Sequence, residues 1–167
     1  MVIRALPPRR ELLAILETVK DPEVPVLNVV ELGIVRDVRS SDDGVTVVVT
    51  PTYSGCPAMH TIEADIVAAL RARGIEHVRM QTVYAPAWTT DWLSAGAKEK
   101  LRAYGIAPPG SAPDDELVAL TRRTPSPPCP YCGSVRTQLR SEFGSTACKS
   151  ICYCSDCRQP FEAFKPL

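Results

Sequence analysis

The chain has 167 residues, 45% of them apolar, with 19 basic and 19 acidic side chains that cancel to a formal charge of zero. That length suits one core-bearing domain plus a small appendage, and the neutral balance excludes a general electrostatic pull onto nucleic acid or an anionic membrane. No stretch approaches the roughly 20 apolar residues a bilayer-spanning helix needs, and the N-terminal residues lack the apolar run and small-residue cleavage site of a leader, so the expected location is cytoplasmic.

In chain order, RRELLAILETVKDPE (9–23) carries Leu12, Leu16 and Val19 on one helical stripe, widened by Leu13 and Ile15, until Pro22 stops the pattern. LGIVRDVRSSDDGVTVVVTPT (32–52) reads as two β-branched arms of a hairpin, with SDDG (41–44) supplying the φ > 0 turn positions and Pro51 ending the second arm. A second helix is expected over 54–74, with Pro57 in its first turn, Ile62, Ile66 and Leu70 recurring at four-residue spacing, and Gly74 closing it. IEHVRMQTVY (75–84) alternates as a third strand, and DWLSAGAKEKLRAYG (91–105) reads as a third helix that stops at Gly105.

This order of elements predicts an α+β domain over 1–107, a small mixed sheet with helices on one face. Its expected core is Leu12, Leu16, Val47, Val49, Ile62, Ile66, Leu70 and Val78. Residues 108–128 hold six prolines and read as a semi-rigid linker. Residues 129–167 form a separate tail.

The tail holds six of the seven cysteines. Cys129 and Cys132 make one C-x-x-C pair and Cys154 and Cys157 another, so each turn presents two thiolates to one tetrahedral ion. These 39 residues bury too little apolar surface to fold unaided, and a structural zinc replaces the missing core. A four-cysteine zinc ribbon is therefore the expected fold, with one structural Zn2+ per chain. Two alternatives stay open: CPYCG also matches a rubredoxin-like iron knuckle, and an iron-sulfur cluster is a further possibility for the same thiols. Cys148 and Cys152 read as small buried side chains, with Cys148 beside Lys149 as a spare thiol in the sharper reading.

Cys56 follows a strand and opens the second helix, where unpaired N–H groups and the helix dipole favour a thiolate. It reads as a soft-metal ligand or nucleophile, or else as inert packing. Paired with His60 it offers a thioester hydrolase, with Cys56 attacking and His60 as base. His77 falls in a strand pattern and reads as structural or exposed.

DPEVPVLNVVELGIV together with TPTYSGCPAM resembles the α+β family of iron-sulfur assembly factors. The matched positions are Asp21, Pro22 and Glu23, then Glu31 to Ile34, then Thr50 and Cys56. PAWTTDWLSAGAKEKLRAYGIAPP and the tail CPYCG, SEFGSTACKS and CSDCRQPFEAFK resemble the D-type subunit family of bacterial phenylacetyl-CoA epoxidases, although Cys152 stands where an apolar residue is expected. The resemblance implies an accessory or maturation role in aerobic phenylacetate breakdown rather than catalysis. On it, Cys56 transiently holds iron or an iron-sulfur cluster, with Asp21 and Glu23 completing or tuning the site. The recipients it implies are a di-iron oxygenase component and a reductase carrying flavin and a [2Fe-2S] cluster. A non-catalytic adaptor is the competing role. The residues agree with the absence of catalysis in one respect: no Glu-x-x-His pair, Gly-rich dinucleotide loop or flavin fingerprint is present. Trp88 and Trp92 are candidates to anchor a partner or to cover their own sheet. The hairpin edge leaves homo-oligomerisation open, and nucleic-acid binding is disfavoured because the tail's five cations are offset by three acids and by a doubly negative metal-thiolate centre.

Overall fold

A computed structural model describes residues 6–53, 55–110 and 126–166. The chain divides into two compact units, Met1–Trp88 and Thr89–Leu167. Residues 111–125 of the expected Pro-rich stretch lie outside the described residues.

The first unit contains α1 (Arg9–Leu16), β1 (Val35–Ser41), β2 (Gly44–Val49), α2 (Ala58–Arg71) and β3 (Val78–Thr82). Its sheet has the order β1-β2-β3, with β1 antiparallel to β2 and β2 parallel to β3. The parallel pair requires a crossover, and α2 supplies it. α1 packs on α2 and β1, and Leu12, Leu16, Val47, Val49, Ile62, Ile66 and Leu70 are each fully buried. Val78 departs from the expected core. It stands half-buried on β3, an edge strand that among the described residues pairs only with β2.

α1 ends at Leu16, earlier than its apolar stripe, and the chain turns there: the Thr18 hydroxyl donates to Ile15 O at 2.7 Å, and Val19 N donates to Leu16 O. Val19 stays buried from this turn. The hairpin has its positive φ at Gly44 rather than at either aspartate of SDDG. Gly44 has φ 130°, and a Cβ there would come within 2.3 Å of His77 O. Gly44→Ala is therefore expected to destabilise the first unit by on the order of 3 kcal/mol, since both the backbone region and the contact with the neighbouring strand are unavailable to alanine. Urea unfolding measures it, and a loss below about 0.5 kcal/mol, the scale of an ordinary surface change, would contradict this account of the turn.

The second unit begins with a 3-10 turn (Thr90–Trp92), then α3 (Ala95–Tyr104), β4 (Ile106–Ala107), β5 (Thr137–Ser141), β6 (Lys149–Cys154) and β7 (Pro160–Phe164). The strands form one sheet in the order β4-β7-β6-β5, antiparallel except for β4 against β7. α3 and β4, grouped by sequence with the first domain, thus lie in the ribbon's unit. The Ser94 hydroxyl accepts from Ala97 N to cap α3, and Gly105 ends it in the left-handed region at φ 92°. The Tyr131 ring covers Gly105, leaving 3.0 Å for any added Cβ. Ala107 packs with Cys129, Cys152, Cys154, Phe161 and Ala163 in the ribbon core. Among the described residues no helix is long and apolar enough to cross a membrane.

Candidate functional site

Two tight turns face each other at one end of the ribbon. In the first, Gly133 N donates to Cys129 O and Cys129 N donates to Ser134 O, each at 2.9 Å, and Gly133 takes φ 74°. In the second, Cys154 N donates to Gln159 O, and Arg158 takes φ 59°. Ser134 Oγ and the Arg136 guanidinium of the first turn both bind the Asp156 carboxylate of the second, and Ser155 N donates to Arg136 O at 2.9 Å. These bonds set the two turns in register.

The result brings Cys129, Cys132, Cys154 and Cys157 together with all four sulfurs within 4.8 Å of one another. Cys129 approaches Cys157, and Cys132 approaches Cys154, at 3.6 Å. A tetrahedron with metal-sulfur bonds of 2.3 Å has sulfur-sulfur edges of about 3.8 Å, so the quartet already has the size of a shell around one ion. A cluster holding several irons would need its thiolates further apart. The backbone N–H of Cys157 bonds the Cys154 sulfur and, with the other thiols, holds its pKa down to about 7, while burial and the same neighbours push Cys157 up to about 12. A cation entering this set displaces the remaining protons. Four sulfurs leave no open coordination position, so the site suits structure rather than catalysis.

Cys148 and Cys152 are buried and stand outside this group. Cys152 belongs to the ribbon core, where burial raises its pKa. Cys148 lies 3.1 Å from the Thr146 hydroxyl. The FGSTACK segment around it closes a clasp: Gly144 N donates to Lys149 O, Ser145 N donates to Glu162 Oε1, and the buried Lys149 ammonium pairs with Glu162 Oε2 at 3.1 Å. Burial alone would raise the Glu162 pKa, but bonds from Ser145 and the Lys149 charge outweigh it and hold the carboxyl below its ordinary value. A depressed carboxylate pKa contributes stability that is complete above the unfolded-chain value, about 4.3, and is lost as pH falls through the folded value. Glu162→Gln is expected to flatten this acid limb in pH-dependent unfolding of the second unit, and an unchanged limb would sink the assignment.

The other site residues lie in the first unit. Because β2 and β3 run parallel, their carboxyl ends are neighbours, with Val83 N donating to Val49 O at 2.8 Å. Cys56 sits at that end, half-buried, in a turn where its N–H donates to Tyr53 O at 3.0 Å and its carbonyl accepts from Met59 N. Tyr53, in the same turn as Cys56, and Tyr84, two residues past the end of β3, are 49% and 69% exposed. Helix α2 starts at Ala58, two residues past Cys56. The four-residue face argument for a Cys56 and His60 pair needs both residues within a helix, and Cys56 precedes it. His60 and His77 are exposed.

Asp21 is buried, and its Oδ1 accepts from Glu23 N at 2.8 Å and Val24 N at 2.7 Å. This is the turn-forming use of aspartate. Glu23 is half-buried. Asp21, Glu23 and Cys56 are not gathered into a common group of metal-ligating side chains; among the described residues that group is the thiol quartet. Sequence reasoning missed a capping box in NVVE: Asn28 Oδ1 accepts from Val30 N and Glu31 N, and Glu31 Oε2 accepts from Asn28 N. Its N-x-x-E spacing was the available signal. The same turn offers Leu32 O to the Trp88 indole N–H at 2.9 Å, so Trp88 covers its own unit instead of anchoring a partner.

Comparison with known proteins follows the two units. Residues 9–83 match the iron-sulfur cluster assembly protein family and residues 113–165 match the PaaD zinc beta ribbon domain. Over 96% of this chain and 94% of its own length, an Escherichia coli protein named as the D-type subunit of 1,2-phenylacetyl-CoA epoxidase is 44% identical. A Porphyromonas gingivalis Fe-S protein maturation auxiliary factor is 36% identical over 54% of this chain and 88% of its own. The solved structure of a domain of unknown function, DUF59, from Bacillus anthracis is 30% identical, covers 56% of this chain and 90% of its own, and superposes with a TM-score of 0.52.

Proposed function

Because the chain belongs to the D-type subunit family of phenylacetyl-CoA epoxidases, we propose that it is a non-catalytic, cytoplasmic maturation subunit that hands iron or an iron-sulfur cluster to the di-iron oxygenase or the flavin and [2Fe-2S] reductase of that system. The observation carrying this reading is the contrast between its sulfurs. Four are closed into one shell, while Cys56 stands half-buried at the carboxyl end of a parallel strand pair in the domain that matches assembly factors.

In this reading the quartet Cys129, Cys132, Cys154 and Cys157 holds one structural zinc, which supplies the ribbon with a fixed crosslink. The ribbon then serves as a docking module for the recipient. Cys56 binds the cargo through a single thiolate. Asp21, whose one oxygen is held by the turn, and Glu23 tune the charge around it. A cargo held by one protein sulfur has its other ligands supplied from outside the chain, which keeps binding weak enough for release. The test is the iron content and activity of the co-produced oxygenase and reductase with the Cys56→Ser chain: delivery requires iron content and activity to fall together in at least one of the two components, whereas an adaptor role leaves them unchanged.

A further inference from the structure

We propose that Cys132 is an oxidative modification site, and that hydrogen peroxide converts it to a disulfide with Cys154 on the opposite turn rather than with its C-x-x-C neighbour Cys129. The four ligands differ in access. Cys132 is exposed, Cys157 is half-buried, and Cys129 and Cys154 are buried. An oxidant arriving from solvent therefore meets Cys132 first. The two thiol contacts within the quartet at 3.6 Å run between turns, Cys129 to Cys157 and Cys132 to Cys154. Cys132 and Cys154 thus need to close by only about 1.5 Å to reach the 2.05 Å of a disulfide bond.

The step balances without a further reagent. The Cys132 thiolate attacks one peroxide oxygen, the O–O bond breaks, and hydroxide leaves and is protonated to water, giving a sulfenic acid. The Cys154 thiolate then attacks the Cys132 sulfur, the S–O bond breaks, and a second hydroxide leaves as water. Two electrons pass from two sulfurs to one peroxide.

The product removes two ligands and leaves Cys129 and Cys157, too few to retain a tetrahedral ion. The turns nonetheless stay together. Ser134 and Arg136 still hold Asp156, Ser155 N still bonds Arg136 O, and the new bond joins the turn ahead of β5 to the last residue of β6. Loss of metal would thus be reversible on reduction. The disulfide assignment stands on geometry alone, and only the release of metal rests on the zinc reading above.

The experiment uses the full chain as purified, treated with hydrogen peroxide, alkylated to trap free thiols, digested and mapped by mass spectrometry, with released metal followed by a chromogenic chelator. The expected result is a Cys132-to-Cys154 crosslink, a fall from seven free thiols by two, release of one metal per chain, and recovery of both with dithiothreitol and zinc. A dominant Cys129-to-Cys132 or Cys154-to-Cys157 bond, sulfinic acid at Cys132 without any crosslink, or oxidation of Cys56 or Cys148 with the quartet intact would overturn the proposal. A crosslink formed with no metal to release would leave the disulfide assignment standing and sink the zinc reading instead.

Discussion

Cys154→Ser is expected to unfold the second unit, with loss of the zinc proposed for the thiol quartet and of the α3 helix signal together. Cys154 is fully buried, donates its N–H to Gln159 O, and packs in the ribbon core with Ala107, Cys129, Cys152, Phe161 and Ala163. That core is small, and three of its six members are cysteines. Structural zinc in comparable modules contributes on the order of 10 kcal/mol or more, against a total stability of about 5–15 kcal/mol for a typical domain. Removing one of four ligands therefore reaches the scale of the whole. Circular dichroism and thermal unfolding with and without a chelator measure it. Cys148→Ser is the matched control, because Cys148 is buried but outside the shell, and it is expected to cost only the one to three kcal/mol of an ordinary core change, roughly. A Cys154→Ser chain that melts like the control would remove the structural role of the metal.

Cys56→Ser is expected to do the opposite: to leave folding and zinc in place and to lower the iron content of the recipient components, because it removes the cargo's own ligand, and even loss of a group that merely supports a ligand costs about tenfold or more in affinity. Cys56 is half-buried and sits in a turn ahead of α2, outside the buried core of the first unit. Sulfur to oxygen at this position removes a soft ligand with little change in volume. Asp21→Asn separates tuning from turn formation, since asparagine keeps an oxygen for Glu23 N and Val24 N while removing the charge.

The long apolar periodicities were legible in the sequence, and so was the spacing of the four thiols. Leu12, Leu16, Ile62, Ile66 and Leu70 are buried as their spacing requires, because a stripe at helical period has one way to leave water. Short elements were not legible. β4 has two residues, Ile106 and Ala107, too few to show an alternation, yet its pairing with β7 assigns α3 to the ribbon's unit. The role of SEFGSTACKS was likewise hidden, because the partner of its Lys149 and Ser145 is Glu162, far along the chain. At the candidate transfer site the sequence pointed to Cys56, Asp21 and Glu23 as neighbours in function. The structure uses Asp21 locally, and it sets the carboxyl ends of β2 and β3 side by side, a consequence of parallel strand pairing that no local pattern announces.

The most direct measurement is elemental analysis for zinc and iron of the wild-type, Cys56→Ser and Cys154→Ser chains, each purified alongside the oxygenase and reductase components without added metal. The account predicts one zinc per chain in the first two and none in the third, with iron in the partner components depleted by Cys56→Ser although its zinc is intact. Zinc retained in Cys154→Ser, or full iron in the partners of Cys56→Ser, would contradict it.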